Sequence, residues 1–110
     1  MKQYLSSEQT AKLIELGFAP TVRIKEVRVV HSKVKIDHDC NFTIGELIEM
    51  LPENVAEENE MPSTLNISLM NGEWCVQYAD FLGADFEFCN TELVDALYDM
   101  LIQLKKKGVI

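Results

Sequence analysis

Several features that mark particular protein classes are absent from this 110-residue chain. No segment approaches the roughly 20 consecutive apolar residues of a membrane span, and the N-terminal MKQYLSSEQT lacks the apolar run of a secretory signal. Glycine-rich phosphate loops, serine nucleophile elbows and paired-glycine nucleotide fingerprints are missing as well. We therefore expect a cytoplasmic protein that does not enter a membrane, is not an enzyme and needs no cofactor.

Basic residues and cysteines are both scarce. Ten Lys and Arg stand against 18 Asp and Glu, and the resulting net charge of −8 repels nucleic-acid phosphates. Direct binding of DNA or RNA is therefore not expected. The cysteines, Cys40, Cys75 and Cys89, are odd in number and have no metal-like spacing, which favours reduced thiols over a disulfide framework.

What the chain does contain is typical of one globular domain. A hydrophobic fraction of 47% and a charged fraction of 25% exclude a disordered or fibrous chain. A chain of this length can bury about two-thirds of its unfolded surface without crosslinks. We expect a single domain over residues 1–110.

The N-terminal part of the chain predicts a helix followed by extended structure. Ser6 and Gln9 match a capping box at the start of a helix over about 7–17. The segment 22–36 is rich in β-branched residues, but its apolar positions change phase. It predicts either one bulged strand or two short strands broken around 31–32.

The clearest pattern is a β-hairpin centred on Asn71-Gly72, the dipeptide that favours a two-residue type I′ turn. That loop length pairs Met70 with Glu73 and Leu69 with Trp74, and so on along both strands. One face of the hairpin is then apolar and is expected to be core. Its members are Leu65, Ile67, Leu69, Trp74, Val76 and Tyr78.

A third strand and a C-terminal helix complete the predicted fold. The strand places Ala84, Phe86 and Phe88 inward and Asp85, Glu87 and Cys89 outward. The helix is expected to begin with Asn90 or Thr91 as its cap and to carry an apolar stripe. The expected fold is α+β in the order α-β-α-β-β-β-α: an antiparallel sheet, formed by a β-meander and the N-terminal strand region, with helices on one face.

The segment DHDCNFTIGE holds the densest group of residues capable of chemistry. Asp37, Asp39 and Asn41 have the spacing of the first three ligands in a calcium-binding loop. The pattern then fails, because Phe42 stands where the loop needs glycine and Ile48 where it needs a bidentate glutamate.

Residues in and near this segment offer other possible metal ligands. A non-standard calcium site would draw a further ligand from Glu46 or Glu49. His31, His38 and Cys40 are of the types that bind zinc, although their spacing matches no common zinc motif. Cysteine–histidine catalysis likewise lacks a local signature.

The same segment is explained more simply as the start of a helix. Thr43 and Glu46 match a capping box, and Phe42 is placed to pack on Leu47 as a hydrophobic staple. The ligand-like residues then form the approach to that helix.

The aromatic residues are mostly expected in the core. An exposed Phe81-Leu82 pair between two strands would instead be a contact for a partner.

Four segments carry a resemblance; in order, they are SSEQTAKLIELGF, FTIGELIEMLP, NGEWCVQY and ELVDALYDMLIQLKKKGVI. In these segments the chain resembles short proteins of unknown function from Bacteroides-type genomes, often encoded near phage or conjugative-element genes. Because these segments form structure and carry no active-site pattern, the resemblance implies a shared architecture and a mobile-element origin, without an activity or site residues.

Three functions follow as hypotheses. The first is a small non-enzymatic protein that acts by contact with another protein, with a second copy of this chain as an alternative partner. The second is an acidic mimic of nucleic acid that inhibits a host protein, which requires its acidic residues to form one surface. The third is a metal-binding protein that uses Asp37, Asp39 and Asn41.

Overall fold

A computed structural model describes residues 1–18, 24–30, 33–38, 41–55, 62–80 and 83–110, with backbone only for 24–30, 33–38 and 84. The described chain has the α+β fold expected from the sequence, with an antiparallel sheet and helices on one of its faces. Its elements are α1 (Ser7–Glu15), β1 (Ile24–Val30), β2 (Lys33–His38), α2 (Ile44–Met50), β3 (Asn54–Val55), β4 (Ser63–Met70), β5 (Glu73–Asp80), β6 (Gly83–Asn90) and α3 (Leu93–Lys106).

Both expected capping boxes are present. At α2, the Thr43 hydroxyl accepts from the Glu46 N–H at 3.2 Å while the Glu46 carboxylate accepts from the Thr43 N–H at 3.1 Å. Ser6 and Gln9 form the equivalent pair of bonds at α1. Each box satisfies two backbone N–H groups that a helix start would otherwise leave without an intrahelical partner.

The end of α1 differs from the sequence interpretation by two residues. The last helical residue is Glu15, and Leu16 is the C-cap. Gly17 has a φ of 98°, and the Phe18 N–H then donates to the Leu13 carbonyl at 2.9 Å. This is a Schellman ending, in which a left-handed glycine lets the chain turn back on the last turn.

The four-stranded sheet has the order β3-β4-β5-β6. The β4–β5 register is the one that the turn predicts, from Met70 opposite Glu73 to Leu65 opposite Tyr78. Two features of the sheet were not predicted. One is the short strand β3 on β4, and the other is a bulge in β6, where Asp85 is the extra residue.

The N-terminal strand region forms two strands, which is one of the two alternatives predicted. β1 and β2 pair with each other, with an irregularity between Ile24 and Glu26. They make a two-stranded sheet of their own and do not join the β3–β6 sheet. The expectation of one sheet containing all strands is therefore wrong for the described part of the chain.

Helix α3 covers β5 and β6, and the core lies between them. Val76 and Tyr78 of β5 are fully buried, and the Tyr78 hydroxyl donates to the Pro52 carbonyl at 2.7 Å. The α3 side chains that are fully buried are Val94, Ala96, Leu97, Met100, Leu101 and Leu104.

The start of α3 also differs from the sequence interpretation. The N-cap is Glu92, and its side chain makes no capping bond. Asn90 lies two residues earlier, and its side-chain oxygen accepts from the Glu92 N–H at 2.9 Å. Asn90 therefore closes a turn that precedes the helix, because a short polar side chain can bond to the backbone two residues on.

Candidate functional site

The approach to α2 is fixed by Phe42. Its side chain is fully buried, its N–H donates to the Thr10 hydroxyl at 3.3 Å, and its carbonyl accepts from the Leu5 N–H at 3.0 Å. Leu47, the expected partner of the staple, is fully buried too. The position that a calcium loop reserves for glycine therefore holds a core residue.

The candidate calcium ligands are divided among different parts of the structure. Asp37 belongs to β2, where its backbone lies opposite Glu26. Asn41 lies just before α2, and the Glu46 carboxylate accepts the capping-box bond from Thr43. Asp39 is outside the described residues. The structure thus assigns Glu46 a role in starting the helix, and the calcium site stays a prediction.

The other metal candidates are mostly outside the described part of the chain. His31 and Cys40 are not described, and for His38 only the backbone is. Over the described ranges, no group of three or more His, Cys, Asp or Glu side chains is arranged to hold a metal ion. The zinc interpretation also stays a prediction.

An apolar patch at the β4–β5 turn was not expected. Leu69 is 57% exposed and Met70 is 60% exposed, while Trp74, opposite Leu69, is half-buried. The assignment of Leu69 to the core is therefore wrong. Because α3 packs on β5 and β6, the apolar row of β4 becomes more exposed toward the turn. We call Leu69, Met70 and Trp74 the hairpin patch.

The predicted partner contact at Phe81-Leu82 lies outside the described residues. It therefore stays a prediction beside the hairpin patch. Sequence reasoning missed the patch because alternation along a strand shows which residues share a face but not where the covering helix stops. Met70 was the available signal, since it is a large apolar residue on the polar face of the hairpin.

The described acidic residues do not form one surface. Glu87 is exposed on β6 between Phe86 and Phe88, which pack against the core, so it faces away from α3. Asp95 and Asp99 belong to α3, on the other side of the sheet. The described acidic residues therefore lie on both sides of the sheet.

The acidic residues of α3 also interact locally. Asp95 forms an ion pair with Lys2, with 3.0 Å between the Lys2 nitrogen and the carboxylate. Partial burial, and then the charge of Asp95, raises the pKa of the Asp99 carboxyl. Part of the negative charge near the start of α3 is thus already matched by the N-terminal segment.

Cys75 and Cys89 form a disulfide between β5 and β6. The two residues are direct partners in the sheet. The expectation of reduced thiols is therefore wrong at these positions. The sequence placed both cysteines on the outer face of neighbouring strands. Their pairing depended on the β5–β6 register, and the sequence between these strands has no turn signal that predicts it.

No protein-family model, curated protein or solved structure matches this chain. The resemblance to mobile-element proteins therefore stays a prediction. In the described ranges, no helix has the length and apolar character that crossing a membrane requires.

Proposed function

We propose that the protein acts by contact with another protein, without a catalytic step of its own, and that the hairpin patch is the contact surface. The exposure of Leu69 and Met70, at 57% and 60%, carries this proposal. Adjacent strand residues point to opposite faces, so the two side chains project from both sides of the hairpin end. A cytoplasmic location and a mobile-element origin, both expected from the sequence, belong to the same proposal.

The geometry of the patch favours a partner with an apolar groove. Leu69, Met70 and Trp74 surround a two-residue turn, and the turn itself is held by left-handed Asn71 and Gly72. A rigid hairpin end loses little conformational freedom on binding, which improves affinity for a given buried area. Because Leu69 and Met70 project from opposite sides of the hairpin end, a groove that receives this end can contact both, whereas a flat surface can contact only one of them.

The negative charge near the turn favours a partner with basic residues around its groove. Glu73 follows the turn and is exposed, and the chain as a whole carries −8. A groove with basic residues at its edge would be attracted to this end of the hairpin. We do not adopt the nucleic-acid mimic, because it needs a single acidic surface and the described acidic residues lie on both sides of the sheet.

Affinity capture from the native host tests the proposal with three forms of the full chain. They are the wild type, a Leu69→Ser and Met70→Ser double variant, and Ile48→Ser as a matched control. Ile48 is 36% exposed on α2 and does not belong to the patch, so its substitution removes a similar apolar group elsewhere. We expect the double variant alone to lose the captured protein, and titration with that purified protein to show the same difference.

Two results would contradict the proposal. Equal capture by all three forms would show that the patch is not the contact surface. A hydrolytic or transfer activity that is lost on changing one buried residue would show that the protein is an enzyme. Sedimentation of the wild type at several concentrations separates a second copy of the chain from a different partner.

A further inference from the structure

We propose that Cys75 and Cys89 form a reversible thiol–disulfide exchange site that low-molecular-weight thiols open and close while the sheet stays folded. The proposal goes beyond the contact function, because the disulfide does not belong to the hairpin patch. It rests on three observations: the pairing of the two residues, their unequal exposure, and the carboxylate beside one sulfur.

The sheet holds the two cysteines together independently of the bond between them. Their Cα atoms are 4.1 Å apart, as expected for directly opposed residues at a non-hydrogen-bonded position, where side chains come closest. Val76 lies opposite Phe88 in the next pair, and both belong to the core packing. After reduction, the two thiols would therefore stay face to face and could close again.

The two sulfurs differ in access. Cys89 is exposed on β6, the last strand of the sheet, whereas Cys75 is half-buried on β5. Exchange begins when a thiolate attacks one sulfur of the disulfide, and access helps to decide which sulfur is attacked. We therefore assign Cys89 as the attacked sulfur and Cys75 as the leaving group.

The steps balance with two thiol molecules. The first thiolate forms a bond to Cys89 Sγ, the disulfide breaks, and its electron pair leaves on Cys75 Sγ, which takes a proton from water. A second thiolate then attacks the reagent sulfur of the mixed disulfide, which releases Cys89 as a thiolate and the reagent as its own disulfide. The two thiols are oxidised and the protein disulfide is reduced, and the reverse sequence closes the bond.

Glu87 supports Cys75 as the leaving group, and its charge also slows the approach of an anionic thiolate to Cys89. Its carboxylate oxygen lies 3.6 Å from Cys89 Sγ. A neighbouring negative charge opposes the growth of negative charge on that sulfur, so the electron pair leaves more readily on Cys75. Once the bond opens, the Cys89 thiol gains a proton that it can donate to the carboxylate, which the disulfide cannot do.

Reduction under native conditions tests the site. The full chain is incubated with millimolar glutathione, thiols are blocked at intervals with an alkylating reagent, and peptides are mapped by mass spectrometry. Peptide mapping distinguishes adducts of Cys40 from those of Cys75 and Cys89. The measurement is repeated on a Cys40→Ser variant, which lacks that thiol. We expect Cys89 in the mixed disulfide, alkylated Cys75, unchanged far-ultraviolet circular dichroism, and closure on addition of oxidised glutathione.

Reagent charge gives a second readout, which a buried or purely structural disulfide would not show. Glu87→Gln should accelerate attack by glutathione, which is anionic, by roughly threefold to fivefold, which is the scale of the repulsion between two unit charges about 4 Å apart in water. The substitution should change the rate of attack by cysteamine little, because the ammonium group of cysteamine offsets the charge of its thiolate. Added salt should reduce the difference.

Three results would overturn the proposal. One is a disulfide that opens only in denaturant or at a rate independent of thiol concentration. Another is mixed disulfide on Cys75 in place of Cys89. The third is purification of the protein with both thiols free, together with failure of oxidised glutathione to form the Cys75–Cys89 disulfide.

Discussion

The buried hydroxyl of Tyr78 makes the stability of the protein depend on pH. The ring is fully buried, and the hydroxyl donates to the Pro52 carbonyl at the end of the α2 segment. Burial raises the pKa of the Tyr78 phenol well above its usual value, because the ionised form would lose its hydration. The folded protein therefore keeps this proton at a pH where the unfolded chain has released it.

That difference predicts a loss of stability in alkali. The unfolded phenol ionises near pH 10, so above that pH the unfolded state binds fewer protons and the free energy of unfolding falls. The Tyr78 contribution to this fall should approach about 1.4 kcal/mol per pH unit. Urea unfolding of the wild type and of Tyr78→Phe at pH 8, 10 and 11 measures it.

The phenylalanine variant should behave differently at the two ends of this range. At pH 8 it should be less stable by about 1 kcal/mol, because the Pro52 carbonyl loses its donor. Toward pH 11 the two curves should converge, with the remaining slope coming from groups such as Tyr98, whose pKa burial also raises. Parallel curves would contradict the assignment to Tyr78.

At the scale of elements, two glycines have opposite roles. Gly72 occupies the second turn position with a φ of 79°, where a side chain is strained even though nothing lies within 4 Å of an added Cβ. Gly45 lies in the first turn of α2, and an added Cβ would meet only the Thr43 hydroxyl oxygen at 3.9 Å, an ordinary contact.

The same substitution should therefore change stability in opposite directions. Gly72→Ala should lower the free energy of unfolding by about 1 kcal/mol, because L residues are disfavoured in the left-handed region. Gly45→Ala should raise it by about 0.5–1 kcal/mol, because alanine restricts the unfolded chain and favours helix. Chemical denaturation of both variants checks this, and two changes of the same sign would refute it.

The elements also show why sequence reasoning succeeded in some places and failed in others. Asn71-Gly72 fixed the β4–β5 register, and Thr43 with Glu46 fixed the start of α2, because each signal lies within a few residues of its effect. Strand β3, the bulge at Asp85 and the exposure of Leu69 depend on contacts between distant segments. Local patterns do not contain that information.

The candidate sites also differ in whether their residues are close along the chain or are brought together by the fold. The sequence drew attention to Asp37, Asp39 and Asn41 because they are close along the chain, whereas the disulfide joins cysteines 14 residues apart through the sheet. Glu46 was correctly recognised as part of a capping box, and the structure shows that bond. The exposure of Leu69 depends on which strands α3 covers, which is a property of tertiary packing.

At the scale of the whole molecule, the described chain contains two sheets with different support. The β3–β6 sheet packs against α3 through the buried residues of β5. The β1–β2 sheet has two strands, and its contacts with other described elements are chiefly with α1. Two-stranded sheets are only marginally stable by themselves, whereas strands packed on a helix share the stability of the core.

Amide hydrogen exchange should therefore separate the two sheets. We expect amides paired between β4, β5 and β6 to exchange with an opening free energy close to that of global unfolding. Amides paired between β1 and β2 should exchange through a local opening with a smaller free energy.

Leu97→Ala supplies the control, because Leu97 is fully buried on α3 and its truncation should lower the free energy of unfolding by about 2–5 kcal/mol. That cost should appear in the β4–β6 amides and leave the β1–β2 amides nearly unchanged. If both sheets instead exchange with the same free energy and shift together in the variant, the β1–β2 sheet unfolds only with the core and the described chain is one cooperative unit.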